Sequence, residues 1–572
     1  MWQTRPMRSA RRKAGLAAAA LTAALIGGCG DLPRSGPVEA GRDGVAGEAP
    51  YVGAVAAPPA PGAGPEQIVE GFLQAMLAGA TDDFKVVRSY LADDIAAVWD
   101  PSAGVVVYQS GMAPALAQAS AEPGGVGLTV TQVGAVDAAG RYTALEPRAW
   151  TESIQLAQDQ EGEWRISDLP DGSVIPEDVF RADYLAVPVY FPSADGQFLV
   201  PDRRVFPRQS AATEAARQFL AGPPPYLTGA VGEVVPAGTR LLTDAVKVAD
   251  GVATVNLSGG MARASETARA TVHACLTAAL TALPDVRAVA LEVAGAPLEV
   301  ESGAALETDP RAGSGLFYLG EGGVWRRDGE AAAVVAGTEA TSLWESLSVD
   351  HSGKRFAGVV EGALAVLPQA GLESEVWTLS DDVRSLSAAP AFDRSGWLWA
   401  ASQDQVAAFS SDGEASLLEA AWLEGGRVVA LAPSRDGARL ALAVEETAES
   451  GVAVLVSGIV RGDGAVPWRL ADPLRAGRLA APVSSLNWVD NMTLALLAPP
   501  APGGEAAPVR LTVGGDSAAL KSPTDPPVAL AAGRSADELF VTGQAGGLFS
   551  YSSRGRVWSP LASAARAVTL AP

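Results

Sequence analysis

A recurring unit in the second half of the chain limits its architecture more than any other feature. Ser348-Val349-Asp350-His351-Ser352-Gly353 leads into Arg355-Phe356-Ala357-Gly358-Val359-Val360, and Pro390-Ala391-Phe392-Asp393-Arg394-Ser395-Gly396 leads into Trp397-Leu398-Trp399-Ala400-Ala401. The unit returns as Ala432-Pro433-Ser434-Arg435-Asp436-Gly437 before Arg439-Leu440-Ala441-Leu442-Ala443, and again as Leu486-Asn487-Trp488-Val489-Asp490-Asn491 before Thr493-Leu494-Ala495-Leu496-Leu497. Each copy reads as strand, polar turn, strand. Gly353 and Gly396 lie 43 residues apart and Gly437 a further 41, the period of a four-stranded propeller blade, ~40–50 residues. A looser copy surrounds Leu530 and Leu539-Phe540-Val541. Residues 315–572 are therefore predicted to form an all-β propeller of roughly five to seven blades, with Leu316-Phe317-Tyr318 and Gly547-Leu548-Phe549-Ser550-Tyr551 at its two ends closing the ring by mixing terminal strands. The recurring Asp350, Asp393, Asp436 and Asp490 are read as turn formers that bond their own backbone, with no metal implied.

Ahead of the repeats, residues 183–302 read as an α+β domain, followed by a linker over 303–314. Tyr184 to Phe191 alternates apolar residues and pairs with Leu199–Phe206 across Ser193-Ala194-Asp195-Gly196. Ser210 is expected to cap a helix that Gly222-Pro223-Pro224-Pro225 terminates. Asp250-Gly251 marks a tight hairpin, a helix is expected from about Glu266 to Leu283, and Ala288–Val293 supplies a last strand. Residues 65–182 open with a helix bearing Ile68, Val69, Phe72, Leu73 and Met76 on one face, then a second around Phe84, Val87, Arg88 and Leu91. Strand-like runs follow at 105–108, 128–136, 142–145, 153–157 and 164–167, an order that suggests an NTF2-like α+β cone.

The N-terminus sets where these domains work. Arg5, Arg8, Arg11, Arg12 and Lys13 precede an apolar run, Leu16 to Ile26, which is shorter than the ~20 residues of a bilayer span. It closes on Leu25-Ile26-Gly27-Gly28-Cys29. Small residues before a cysteine form a lipobox, so residues 1–28 are read as a signal peptide cut between Gly28 and Cys29. Cys29 is then expected to carry a diacylglyceryl group and an N-acyl chain, which anchors the protein to the extracytoplasmic face of the cell membrane. Residues 29–64 carry many Pro and Gly and little to bury, and read as a tether reaching roughly 100 Å at ~3.1 Å per residue.

Charge narrows the partners. The formal net charge is −23, and loss of the five signal-peptide cations leaves −28. Such a body repels phosphate backbones and anionic headgroups, so nucleic acid is not expected as a partner. Catalytic signatures are missing: there is no G-x-S-x-G, P-loop, H-E-x-x-H or paired-cysteine zinc spacing. The chain has two histidines, His273 and His351, and its second cysteine is Cys275. His273 and Cys275 sit two apart on a predicted helix, about 200° around its axis, which separates them as a catalytic pair. Asp93 and Asp94 are weighed as general bases against a helix-end pair facing water, and the second reading is preferred because no partner is seen to tune them. No enzyme, cofactor or metal is expected. Arg203, Arg204 and Arg208 form a basic cluster in an otherwise acidic chain, and a carboxylate or phosphate ligand is weighed there against solvated strand-end arginines.

The order of parts, with Pro65-Glu66-Gln67-Ile68-Val69-Glu70-Gly71-Phe72-Leu73, Arg88-Ser89-Tyr90-Leu91, Trp99-Asp100-Pro101 and Val189-Tyr190-Phe191, resembles the actinobacterial LpqB lipoprotein family. Leu199-Val200-Pro201-Asp202-Arg203-Arg204, Leu220-Ala221-Gly222-Pro223 and Asp250-Gly251-Val252-Ala253-Thr254-Val255-Asn256-Leu257-Ser258 look like a GerMN domain. The resemblance implies a non-enzymatic accessory lipoprotein that engages the extracellular domain of an MtrB-like sensor histidine kinase. It further implies modulation of MtrAB two-component signalling, with effects on cell envelope and division. A second reading is an envelope protein that binds a cell-wall glycan or small molecule through its NTF2-like and GerMN domains. Both readings depend on the anchor: Cys29→Ser protein is expected to leave the membrane fraction on cell fractionation, and retention there would move the anchor elsewhere.

Overall fold

The computed structural model describes residues 56–572, except 83, 119–123, 301–305, 314, 380–384, 447–450, 480–481, 500–502 and 536–537. Cys29, the lipobox and most of the tether lie outside the described residues. Two α+β domains precede a β-propeller, as the sequence predicts.

In the first domain the Pro65–Asp82 helix lies against a mostly antiparallel sheet. Its apolar stripe, with Ile68, Val69, Phe72 and Met76 all buried, packs among Val107, Val126, Leu128, Ile154 and Ile166. The second predicted helix is two short ones, Lys85–Arg88 and Asp93–Val98. Two predicted strands, 142–145 and 153–157, form a single strand, Tyr142–Gln158. Glu146-Pro147-Arg148 breaks the apolar pattern there, but the register shifts between Gln132 and Gly134, so a bulge carries Pro147 past the ladder.

The middle domain begins with the Tyr184–Pro192 and Leu199–Pro207 hairpin. Ser210 stands at the start of the Ala211–Leu220 helix, but its hydroxyl donates back to the carbonyl of Pro207 instead of capping the helix. Asp250 and Gly251 both take positive φ, 53° and 78°, the conformation a two-residue hairpin turn requires. Ser265 caps the Glu266–Leu280 helix by accepting from the Ala268 N–H. That helix crosses between Val252–Leu257 and the parallel strand Ala288–Val293.

Among the described residues the propeller has six blades of four or five strands. Five are contiguous in the chain. The remaining one takes Val568–Leu570 as its innermost strand beside Leu316–Gly320, so the last strand closes the ring on the first. The inner strands neighbour one another around the circle, from Ser348–Val349 through Ala391–Phe392, Arg427–Pro433, Ser485–Trp488 and Pro527–Ala532 to Val568–Leu570.

The domains share apolar cores. Tyr184 and Val205 of the middle domain join the first domain's cluster, and the middle domain's cluster runs without a break into Ala441, Val454, Val456, Trp488 and Leu496 of the propeller. The 306–313 stretch, read as a linker, is bonded on both sides: Leu199 N–H donates to Glu307 O, and Asn491 N–H to Asp309 Oδ1 at 3.0 Å. Gly458 sits where the Val452–Arg461 strand meets the 225–227 turn, and a Cβ there would lie 2.6 Å from Ala230 Cβ and 2.7 Å from Tyr226 O. Both neighbours are held in packed structure. Gly458→Val is expected to destabilise the protein by about 1–3 kcal/mol, the range for overpacking, and to separate propeller unfolding from that of the middle domain in calorimetry.

Candidate interaction surfaces

The sequence-predicted residues fall in three different settings. Arg204 is buried at 1% exposure, ion-paired with Asp202, and donates to the carbonyl of Ala139 in the first domain and to Gln218 Oε1 at 3.2 Å. Tyr226 also donates to Asp202, at 3.1 Å. Burial pushes the Asp202 carboxyl up, and the Arg204 guanidinium opposes that shift. Arg203, next along the strand and on its other face, donates to the carbonyl of Gly514 in the propeller. Arg208 is exposed and donates to the Ala182 carbonyl at 3.0 Å. The three cations therefore serve three separate joints.

The recurring aspartates hold turns. Asp350 Oδ1 accepts from the N–H groups of Lys354 and Arg355, both at 3.0 Å, and Asp490 Oδ1 from that of Met492 at 2.8 Å. Asp393 accepts from Trp397 N–H and Trp399 Nε1, and pairs with Arg461 at 2.9 Å. Asp436 accepts from Ala438 N–H and pairs with the equally buried Arg439, whose guanidinium lies 4.6 Å from the Trp488 ring centre. Among the described residues no group of His, Cys, Asp or Glu is arranged to hold a metal.

Cys275 is buried in the core and its thiol is pushed up to about 12 by that burial, which leaves it un-ionised. His273 faces the other way, with Nε2 3.1 Å from the Val289 carbonyl. His351 is 3.1 Å from the Pro572 carbonyl oxygen at the opposite end of the molecule's sequence. Asp93 and Asp94 are exposed in the first turn of their short helix.

A surface not read from the sequence lies along the outer edges of three successive blades. Their outermost strands are Glu375–Trp377, Ala415–Leu417 and Pro467–Leu470. The Ser410–Gly413 turn packs on the Trp377 ring, Ser416 Oγ donates to the Pro467 carbonyl, and Glu419 N–H donates to Trp468 O at 2.9 Å, which makes the edge continuous. Along it Leu372, Val376, Leu417, Val466 and Trp468 are exposed, Val376 by 62% and Trp468 by 41%. Glu373, Glu375, Asp412, Glu414, Glu419, Glu424 and Asp463 flank them, all exposed, while Arg469 lies over the Trp468 ring and Arg355 and Arg461 donate to the Ser411 and Ala465 carbonyls of the same edge. Exposed aromatic and aliphatic side chains among a majority of carboxylates have the chemistry of an interaction surface.

Comparison with known proteins gives these parts a family. The N-terminal domain of lipoprotein LpqB matches residues 58–181, the sporulation and spore germination (GerMN) domain residues 188–299, and the LpqB β-propeller domain residues 322–569. The chain belongs to the LpqB lipoprotein family. LpqB of Thermobifida fusca is 28% identical over 85% of this chain and 88% of its own length, and that of Streptomyces coelicolor 28% identical over 83% and 84%. LpqB of Cutibacterium acnes is 33% identical, but over 52% of this chain and 49% of that protein. The putative TolB of Agrobacterium tumefaciens superposes with a TM-score of 0.33 at 11% identity, over 46% of this chain and 99% of its own. The family is named as a lipoprotein and not as an enzyme, and no helix among the described residues is long and apolar enough to cross a membrane.

Arg204 and Arg208 differ sharply in what their loss leaves behind. Arg204→Ala strands the Asp202 carboxylate in a dry joint and is expected to cost about 3–5 kcal/mol, whereas Arg208→Ala, at an exposed position, is expected to stay within about 0.5 kcal/mol. Denaturant midpoints of the two variants check this, and equal midpoints would contradict the joint assigned to Arg204.

Proposed function

We propose that this LpqB-family protein is a membrane-anchored accessory lipoprotein that binds the extracellular domain of an MtrB-like sensor histidine kinase and modulates MtrAB signalling. The observation that carries the reading is the acidic, apolar-studded edge of the three blades, an exposed binding surface on a body whose domains are joined through shared cores. Trp468 is the natural anchor, because a large ring that is partly exposed in the free protein has the most apolar area to bury on contact. The lipid on Cys29 and the tether confine that surface near the membrane and raise its effective concentration toward a membrane partner. Acidic flanks add attraction for a basic surface and faster association at low salt.

A second reading, that the first two domains hold a small envelope ligand, is favoured by a cavity between the Pro65–Asp82 helix and its sheet.

The adaptor reading is tested by titrating the purified extracellular sensor domain against the protein. Trp468→Ser with Leu417→Ser is expected to weaken binding by tenfold or more, the scale of a lost hot spot of about 2 kcal/mol, with stability preserved because both side chains are exposed. Undiminished binding in that variant would move the surface elsewhere, and no binding by the unaltered protein would remove the adaptor reading.

A further inference from the structure

The cavity in the first domain has a volume of about 230 Å³. Phe72, Leu73 and Met76 of the helix form one wall, and Leu128, Val136 and Ile154 of the sheet another. Buried apolar walls of this kind select an apolar body, and the volume, below the ~300–1,000 Å³ of drug-sized sites, selects a small one.

Two side chains give the cavity a polarity. Trp150, Glu152 and Ile154 alternate along the Tyr142–Gln158 strand and all line it, while the intervening Thr151 pairs with Thr129 on the other face, Oγ1 to Oγ1 at 3.1 Å. Glu152 sits directly opposite Leu128 and is half-buried. Its one hydrogen bond is from the adjacent Ser153 N–H, at 3.0 Å, and among the described residues no lysine or arginine pairs with it. Asp171, an exposed second carboxylate at the rim, accepts from Asp100 N–H at 2.8 Å through Oδ1, and Ser173 donates to the Pro101 carbonyl at 2.9 Å. A partly buried carboxylate beside apolar walls, with no lysine or arginine pairing it, presents an acceptor to which a cation can bond. Trp150, two residues along, offers an indole beside the same space, and aromatic faces attract cations.

From this geometry we infer that the first domain binds a small organic cation, an amine with a short apolar body, whose ammonium group pairs with Glu152 beside Trp150 and whose body fills the cavity under the Pro65–Asp82 helix. The inference deepens the small-ligand reading and is independent of the kinase partner. It is distinct from the arginine cluster, which would have selected anions.

Three probes with one alkyl body separate the contributions: n-hexylamine, n-hexanol and hexanoate, titrated by calorimetry into the full chain carrying Cys29→Ser, so that no lipid competes. The amine is expected to bind at least tenfold more tightly than the alcohol, as a charge-assisted hydrogen bond of about 1.5–3 kcal/mol provides, and hexanoate not to bind. Glu152→Gln is expected to bring the amine down to the alcohol's affinity while leaving the alcohol unchanged, which also reports that the domain is folded. Leu128→Trp, filling the cavity, is expected to abolish both. Equal binding of amine and alcohol to the unaltered chain would overturn the charge selection but leave a small-ligand cavity. Failure of all three probes would overturn both, and an amine preference that survives Glu152→Gln would assign it to the acidic surface at large.

Discussion

The middle domain is held by a hairpin whose two faces cannot both be solvated. Residues on Tyr184–Pro192 and Leu199–Pro207 are buried almost throughout, including Val187, Val189, Phe191, Val200 and the charged pair Asp202 and Arg204. A two-stranded ribbon has no means of covering itself. Here the Ala211–Leu220 and Glu266–Leu280 helices cover part of it, the first domain reaches it through Ala139 and Gly140, and the propeller through Arg439, which contacts the Pro201 carbonyl. Its burial therefore requires both neighbours, and this turns three sequence domains into one packed body.

The buried ions at that junction specify the fit more than they add to its strength. An ion pair taken out of water gains little net stability against well-packed apolar residues, but an unpaired member is strongly unfavourable. Asp202 with Arg204, and Asp436 with Arg439, thus favour the one arrangement in which every partner is present. The propeller's Asp436 belongs at once to a blade turn and to this junction, since its partner Arg439 stacks on Trp488 and touches the hairpin. A turn residue chosen for local geometry has been recruited to hold domains together.

What was legible in the sequence follows the range of the forces involved. Asp-Gly turns act within a few residues, so the blade hairpins and the Asp250-Gly251 turn stood out at once. Ring closure by strands from both ends was legible, but the apolar 547–551 run read as the closing strand lies within the last contiguous blade and the shorter Val568–Leu570 closes instead, and the blade number stayed open because outer strands such as Ala331–Val334 and Ser517–Ala519 are short and exposed, with no apolar alternation to mark them. Tyr142–Gln158 read as two strands because Pro147 ends a ladder in the absence of a bulge, and the bulge is set by the partner strand. Arg203 and Arg204 read as a solvated or ligand-binding cluster because nothing local shows that Ala139 and Gly514 will close over them. Glu152 carried a signal that alternation alone contained: it shares the inward register of Trp150 and Ile154, where an apolar residue is the rule.

Placement of charge along the body gives the anchor a physical direction. On the proposed anchored arrangement, a chain this acidic would be repelled by any anionic surface over roughly a Debye length, ~8 Å at physiological salt. On the proposed partner-binding role, association with a basic surface would gain from attraction to the carboxylates of the Glu375–Asp463 edge. Screening by salt would weaken that attraction, whereas the apolar contacts of Leu417 and Trp468 would persist. The carboxylates would then govern how often a partner is met and the apolar residues how long it stays.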